Sequence, residues 1–324
     1  MKARHLFMSS TLLLSLQWAA PLLADDFPEK PINIVVPWPA GGAYDLAARL
    51  MAEHASQTFP VPLVVQNVTG AAGSTGVRHV ADATPDGYTI GVMGTHAIAQ
   101  SYMNPNATAL EDLTPLVFIG PEPAALAVTL DADIGDVAAY LDTLKEAPGS
   151  IINGNDSPGG FSYIAATMLE NQFDVELTKI PYQGYAPTVS AMLSGEVMSA
   201  LLPIPLLADQ HNAGQLNLLA VAAKERHPFS PDVPTFKEQG YDFIAEDFFM
   251  LYLPGDVPEE HRNKLAEMFY ELLQDPSFQD AANGIGLVIQ PKPQDETEHY
   301  LAQRADEVYE ILTESGLVDD SLTR

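Results

Sequence analysis

Two glycine-rich segments in the first third of the chain carry the residue types best able to hold a small anion. Trp38-Pro39-Ala40-Gly41-Gly42-Ala43-Tyr44-Asp45 closes one short apolar run, and Ala71-Ala72-Gly73-Ser74-Thr75-Gly76 follows another. Each turn feeds a helical pattern, where unpaired backbone N–H groups and the positive end of a helix dipole coincide. Glycine lets the backbone come close to whatever sits there, and carboxylate, phosphate and sulfate all suit such a place. Between Pro31 and Leu144 the only Lys or Arg residues are Arg49 and Arg78, each inside the helix beyond its loop. An anion bound here is therefore held by backbone amides, while Arg49 is spaced to pair with Asp45.

Other chemistries lack their residues. Gly70-x-x-Gly73-x-x-Gly76 does not have the spacing of a dinucleotide fingerprint, and no phosphate loop ending in Gly-Lys-Ser/Thr is present. Ala72-Gly73-Ser74-Thr75-Gly76 lacks the first glycine of a nucleophile elbow. The eight histidines are dispersed, without the spacings of a zinc site. Asp131, Asp133 and Asp136 do not match a calcium loop, and Asp136 reads as a helix cap. With no cysteine, disulfides, thiolate metal sites and a lipid-bearing cysteine are excluded. Neither a catalytic residue, a metal nor a cofactor is expected.

The elements that position these loops alternate. Ile32–Val36, Leu63–Val65 and Thr89–Met93 read as strands, with helices from Tyr44 and from near Val77 between them. The third strand ends at Gly94-Thr95-His96. A second series follows the apolar stretch Leu116–Gly120: helix Val137–Lys145, strand Ser150–Asn153, a loop from Asp156 through Gly159-Gly160-Phe161-Ser162 and a helix to Glu170. Strand Leu177–Ile180, the turn Pro181-Tyr182-Gln183-Gly184-Tyr185, helix Pro187–Ser194 and strands Met198–Leu202 and Leu216–Ala222 complete it. Strands alternating with helices imply mostly parallel sheets covered on both faces. The helical, charged last quarter (Glu259–Gln274, Glu296–Thr313) is expected to pack back on the first unit, so the chain crosses twice, near 116–124 and 245–254.

The N-terminus has Lys2, Arg4 and His5, an apolar run from Leu6 to Ala20, and Leu23-Ala24 before Asp25-Asp26. That is the pattern of a cleavable secretory signal, with the cut placed after Ala24. Secretion without disulfides fits the bacterial periplasm, where a chain of this length has core enough to stand alone. The net charge of −28 becomes −30 once Lys2 and Arg4 are removed, which disfavours nucleic acid and anionic membrane surfaces as partners.

The segment Lys30-Pro31-Ile32-Asn33-Ile34-Val35-Val36-Pro37-Trp38-Pro39-Ala40-Gly41-Gly42, with Asp45 and Arg49, resembles the first motif of the tripartite tricarboxylate transporter receptors, the extracytoplasmic solute-binding proteins also called Bug receptors. Asn67–Gly76 resembles their second motif, Pro85-Asp86-Gly87-Tyr88-Thr89 the strand entry after it, and Pro181–Pro187 their second-lobe loop. Asp232-Val233-Pro234-Thr235-Phe236 with Gly240 is similar to a further family segment. The resemblance implies an α/β, two-lobed Venus-flytrap fold that closes on a small organic carboxylate and delivers it to a permease of one large and one small membrane subunit. With a doubly wound sheet expected in each lobe, the pattern of the chain gives residues 25–120 and 250–324 as lobe one and 121–249 as lobe two, and a monomer is expected.

Site residues expected on this basis are Trp38 to Asp45, Ala71 to Gly76, Thr95 and His96 from lobe one, and Gly159, Gly160, Phe161, Ser162, Tyr182, Gln183, Gly184, Leu202 and Pro203 from lobe two. Phe248, near the second crossover, is added. Ala43-Tyr44, Gly160-Phe161-Ser162-Tyr163 and Leu201-Leu202-Pro203 depart from the usual family residues toward apolar and aromatic ones, so Phe161, Tyr182 and Phe248 are expected to set ligand preference. A periplasmic sensor for a membrane kinase would use the same fold, and a carboxylate-processing hydrolase or isomerase is the remaining alternative, though no acid–base or nucleophile pair supports it.

Overall fold

In the computed structural model, which describes residues 27–319, the first three strands form as their apolar runs require. β1 (Ile32–Val36), β2 (Leu63–Asn67) and β3 (Thr89–Met93) are parallel in the order β2-β1-β3, joined by α1 (Ala43–Thr58) and α2 (Ser74–Ala81). β1 is continuous in hydrophobicity because both its faces are covered. Ile34 and Val36 pack with Met51, Phe269 and Phe278 on one side, and Val35 with Val77, Met93 and Ile98 on the other. The first side is roofed by α1, α8 (Glu259–Gln274) and α9 (Pro276–Gly284), the second by α2, α3 (Thr95–Met103) and α10 (Gln294–Glu314).

The sheet continues through two antiparallel strands. β9 (Glu246–Pro254) lies on β3, and β4 (Leu113–Thr129) lies on β9. β4 is long enough to serve twice. From Leu113 to Pro123 it pairs with β9; from Ala124 onward it pairs with β7 (Ser199–Pro203) and β8 (Leu216–Val221). Beyond β7 lie β5 (Ile152–Asn155) and β6 (Thr178–Pro181), parallel to one another. Helices α4 (Val137–Glu146) and α5 (Phe161–Phe173) cover one face of this second half. α6 (Tyr185–Leu193) and the short α7 (Ala208–Asn212) cover the other. Each half is thus an α/β sheet with its own core on either face, the doubly wound pattern. The chain leaves the first half along β4 and re-enters it where β9 begins, with the Ala124 amide bonded to the Ala245 carbonyl at 3.0 Å.

Four elements differ from the sequence expectation. Residues 116–120 are not an isolated stretch but the middle of the 17-residue β4, and Glu246–Pro254 is a full strand. Thr95 and His96, where the third strand is expected to end, open a helix, α3; its first six residues are all buried, so it has no polar face to betray a helical period. α9 is a further helix, started by Asp275 with Pro276 at its first position. Asp136 caps α4 as expected, its Oδ1 accepting the Ala139 amide at 2.8 Å. The signal-peptide expectation falls on residues 1–24, outside the described residues.

Candidate functional site

The two halves enclose a cavity of about 310 Å3. The first half contributes Trp38 to Tyr44 and His96, and the start of β9, where the halves join, contributes Asp247. The second half contributes Asp156, Phe161, Gln183, Gly184, Tyr185, Ala186, Pro187 and Leu206. Four helices begin around it: α1, α3, α5 and α6. Two of these N-termini are already served by carboxylates. Asp247 accepts the Thr95 amide at the start of α3 at 2.8 Å, and Asp156 accepts the Tyr163 amide in the first turn of α5 at 3.1 Å. The other two, α1 after Gly42 and α6 after Gly184, have no side-chain cap. Helix geometry leaves their first-turn amides without an intrahelical partner, and the residues bearing them line the cavity.

The α1 loop is held from behind. Asp45 is buried; its Oδ2 accepts the Gly41 amide and the Arg49 Nε, both at 2.8 Å, and its Oδ1 accepts Asn67 Nδ2 at 3.0 Å. Asn67 Nδ2 also donates to the Trp38 carbonyl at 3.0 Å. Burial pushes the Asp45 carboxyl up, but the bonds from Arg49, Gly41 and Asn67 outweigh it and hold the group below the usual range. Gly41 has φ +88° with open space where a Cβ would stand, so a side chain here is strained and projects into the cleft. Loss of the staple should be felt at once. Asp45→Ala leaves Gly41, Asn67 and Arg49 without their acceptor and is expected to cost roughly 1–3 kcal/mol in urea unfolding, with a broadened cleft signal in amide exchange at residues 38–44.

The floor is aromatic and acidic. Trp38 and Tyr44 both meet His96 edge-on, with ring centroids 5.3 and 5.5 Å away. Burial lowers the His96 pKa to about 4, so the ring is neutral, and neither nitrogen has a partner among the described residues. The Tyr44 hydroxyl donates to Asp247 Oδ2 at 2.7 Å, and its pKa is raised by burial and by that carboxylate. Burial pushes Asp156 up to about 7. Glu122, directly opposite Asp247 in the β4–β9 ladder, is raised well above its ordinary value by burial and by Asp247. Among the described residues, no lysine or arginine lines the cavity.

A family model for the tripartite tricarboxylate transporter family receptor matches residues 47–317. The chain belongs to this receptor family. It is similar to BugT of Bordetella pertussis, 28% identical over 304 residues that cover 92% of this chain and 93% of BugT. Among solved structures it resembles the periplasmic binding protein BugD, at 29% identity and a TM-score of 0.81, covering 90% of this chain and 99% of that one. It also resembles MatC from Rhodopseudomonas palustris with bound malate, at 25% identity and a TM-score of 0.77, covering 90% of this chain and all of that one. BugD is a periplasmic binding protein, and this chain is a solute-binding receptor of the matched family, not an enzyme.

Not all the residues expected of the site meet in the cleft. Trp38 to Tyr44, His96, Phe161, Gln183 and Gly184 line the cavity, while Asp45 stands behind the loop. Residues 71–76 lie outside it. Gly73 packs on the His96 ring, Ser74 Oγ donates to Gln100 Oε1 at 3.3 Å, and Gly76 sits against Pro37 and the Val68 carbonyl, so this loop supports His96 instead of facing the cavity. Thr95 gives its amide to Asp247, and the Ser162 hydroxyl accepts the Asp156 amide at 2.8 Å. Gly159 abuts Gln100 and Met103 across the cleft edge, and Gly160 abuts the Asp156 carboxyl.

Tyr182 packs on the second-half core, and Leu202 and Pro203 are buried in β7. Phe248 faces Phe118 and Tyr300 in the core and is not a cavity wall; alternation along β9 sends Asp247 to the cleft and its neighbour inward. Asp156, Tyr185, Ala186, Pro187, Leu206 and Asp247 line the cavity without being among the expected site residues, although the first four lie in loop segments that the sequence marks. An acid abutting the apolar run Phe248–Leu253 is the available signal for Asp247.

Proposed function

We propose that this receptor captures a small organic carboxylate between its halves and delivers it to a tripartite permease of large and small membrane subunits. The carrying observation is that two uncapped helix N-termini, α1 from one half and α6 from the other, face a single cavity. Each supplies amides and a positive dipole end to an anion. The likeness to MatC with malate supports the same ligand class. In this reading residues 25–120 with 250–324 form one lobe, 121–249 the other, and closure turns about β4 and β9. The protein acts as a periplasmic monomer after removal of residues 1–24. Trp38, Phe161 and Tyr185 replace the expected Phe161, Tyr182 and Phe248 as the aromatic determinants of preference.

Calorimetry against mono-, di- and tricarboxylates, aromatic acids and the primary amides of each is the test. The best acid is expected to bind at least about tenfold more tightly than its amide, a difference of roughly 1.4 kcal/mol. Gly41→Val should weaken that acid by a similar factor, and Arg49→Ala by much less, because Arg49 acts on the loop only through Asp45 and Asn67. Equal affinity for acid and amide would remove the amide cradle.

A further inference from the structure

A carboxylate receptor has reason to keep its cleft free of negative charge, yet this one buries three acids around it. Asp156 and Asp247 line the cavity. Glu122, 4% exposed, stands opposite Asp247 on the neighbouring strand with both carboxyl oxygens unpartnered among the described residues. Like charges facing one another across a ladder are destabilising, and a buried carboxylate without a counter-ion is costly. Helix capping does not account for the charge. Serine or asparagine caps as well as aspartate and buries no ion. The cavity wall also presents Trp38, Phe161 and Tyr185, whose ring faces attract cations. His96, buried, neutral and unpartnered at both nitrogens, lines the same space and can accept an N–H.

Resting on the carboxylate-receptor reading, we propose that the ligand is zwitterionic: it carries a protonated or quaternary nitrogen as well as its carboxylate, and Asp156 and Asp247 read that nitrogen. The carboxylate sits at the α1 and α6 N-termini, and the cation supplies the counter-charge that the cleft lacks. The class is that of amino acids and their N-methylated betaines. A simple dicarboxylate would bring a second negative charge toward Asp156 and Asp247 and favour the protonated form of Asp156.

Proton linkage follows from the same arrangement. The groups facing Asp156 and Asp247 are Glu122, Tyr44, Tyr185 and His96. Of the acids, Asp156 is the one poised near neutrality, at about 7. A cation beside it draws the carboxyl back to the ionised form, so binding near pH 7 releases protons and affinity rises with pH through that range. A second carboxylate placed there would take protons up.

The experiment is calorimetry on the full mature chain, in two buffers of different ionisation enthalpy, with α-, β- and γ-amino acids and their N-trimethyl forms. Each is paired with the carboxylic acid bearing carbon in place of nitrogen, and methyl esters of the amino acids are included. At least one nitrogen-bearing acid is expected to bind ten times more tightly than its carbon partner, with proton release. Asp156→Asn should narrow that ratio below about threefold; the change keeps an oxygen acceptor for the Tyr163 amide. Carbon acids that match or exceed their nitrogen partners, with proton uptake, would overturn the zwitterion and leave the carboxylate receptor standing. Esters that bind as well as the free amino acids would overturn the carboxylate and leave the cation. Failure of every compound to bind would count against both.

Discussion

Gly94→Ala is expected to be among the most damaging single-methyl changes in the receptor, at about 3 kcal/mol of stability and at least tenfold in ligand affinity. The φ of −147° at Gly94 is extended and suits alanine, so backbone strain plays no part. The cost is steric. A Cβ there meets the Tyr44 hydroxyl head-on, and lies 2.7 Å from the Phe248 carbonyl and 2.8 Å from Asp247 Oδ1. Overpacking of this kind usually costs about 1–3 kcal/mol, and here it also parts Tyr44 from Asp247, which leaves a buried carboxylate one donor short.

Because the nearest of the three colliding atoms is the Tyr44 hydroxyl, its share can be isolated. In a Tyr44→Phe background the same alanine should cost less by at least about 1 kcal/mol, since that atom is gone and the bond is already lost, while the Phe248 carbonyl contact remains. Urea unfolding of the four proteins checks this, and strictly additive costs would show that the Tyr44–Asp247 contact is not what Gly94 protects.

That glycine illustrates what the sequence could and could not convey. β1 and β3 are legible because burial on both faces writes an uninterrupted apolar run, bounded by Pro37 in one case and Gly94 in the other. The turn at Gly41-Gly42 is legible too, since a glycine pair between strand and helix has few other uses. The second loop invites the same logic and serves another end. Gly73 and Gly76 are small so that His96 and Pro37 can pack against them. A glycine that admits a ligand and one that admits a neighbouring side chain look alike in one dimension.

α9 has a readable start that apolar periodicity alone does not mark: Asp275 stands before Pro276, and its Oδ1 takes the Ser277 and Phe278 amides at 2.8 and 3.2 Å. α3 has no such signal, because a helix buried all round shows no period. The acids of the cleft are the least legible of all. Asp156 follows β5 and Asp247 is the second residue of β9, and only the fold sets them at one cavity.

The second large effect comes from Asp156 and is a matter of pH. Its pKa, ordinarily 3.8, is about 7 in the folded protein, raised by burial. The folded state therefore holds the Asp156 proton where the unfolded chain has released it. Stability from this group is fully present below about pH 4 and is lost as pH rises toward 7, at most about 4 kcal/mol at roughly 1.4 kcal/mol per unit. The wild-type protein alone will not display it cleanly. His96 and His227, both lowered to about 4 by burial, lose stability in the opposite direction as pH falls from 6.5.

Asp156→Asn separates the two, because it keeps an Oδ1 for the Tyr163 amide, removes the titration and leaves both histidines in place. The variant should gain on the wild type steadily between about pH 4 and pH 7, by up to about 4 kcal/mol, and the difference should level off above that. Parallel urea titrations from about pH 4 to 8 measure it. A difference that stays flat across the range would mean that Asp156 is ionised at low cost in the empty cleft, already solvated by water there.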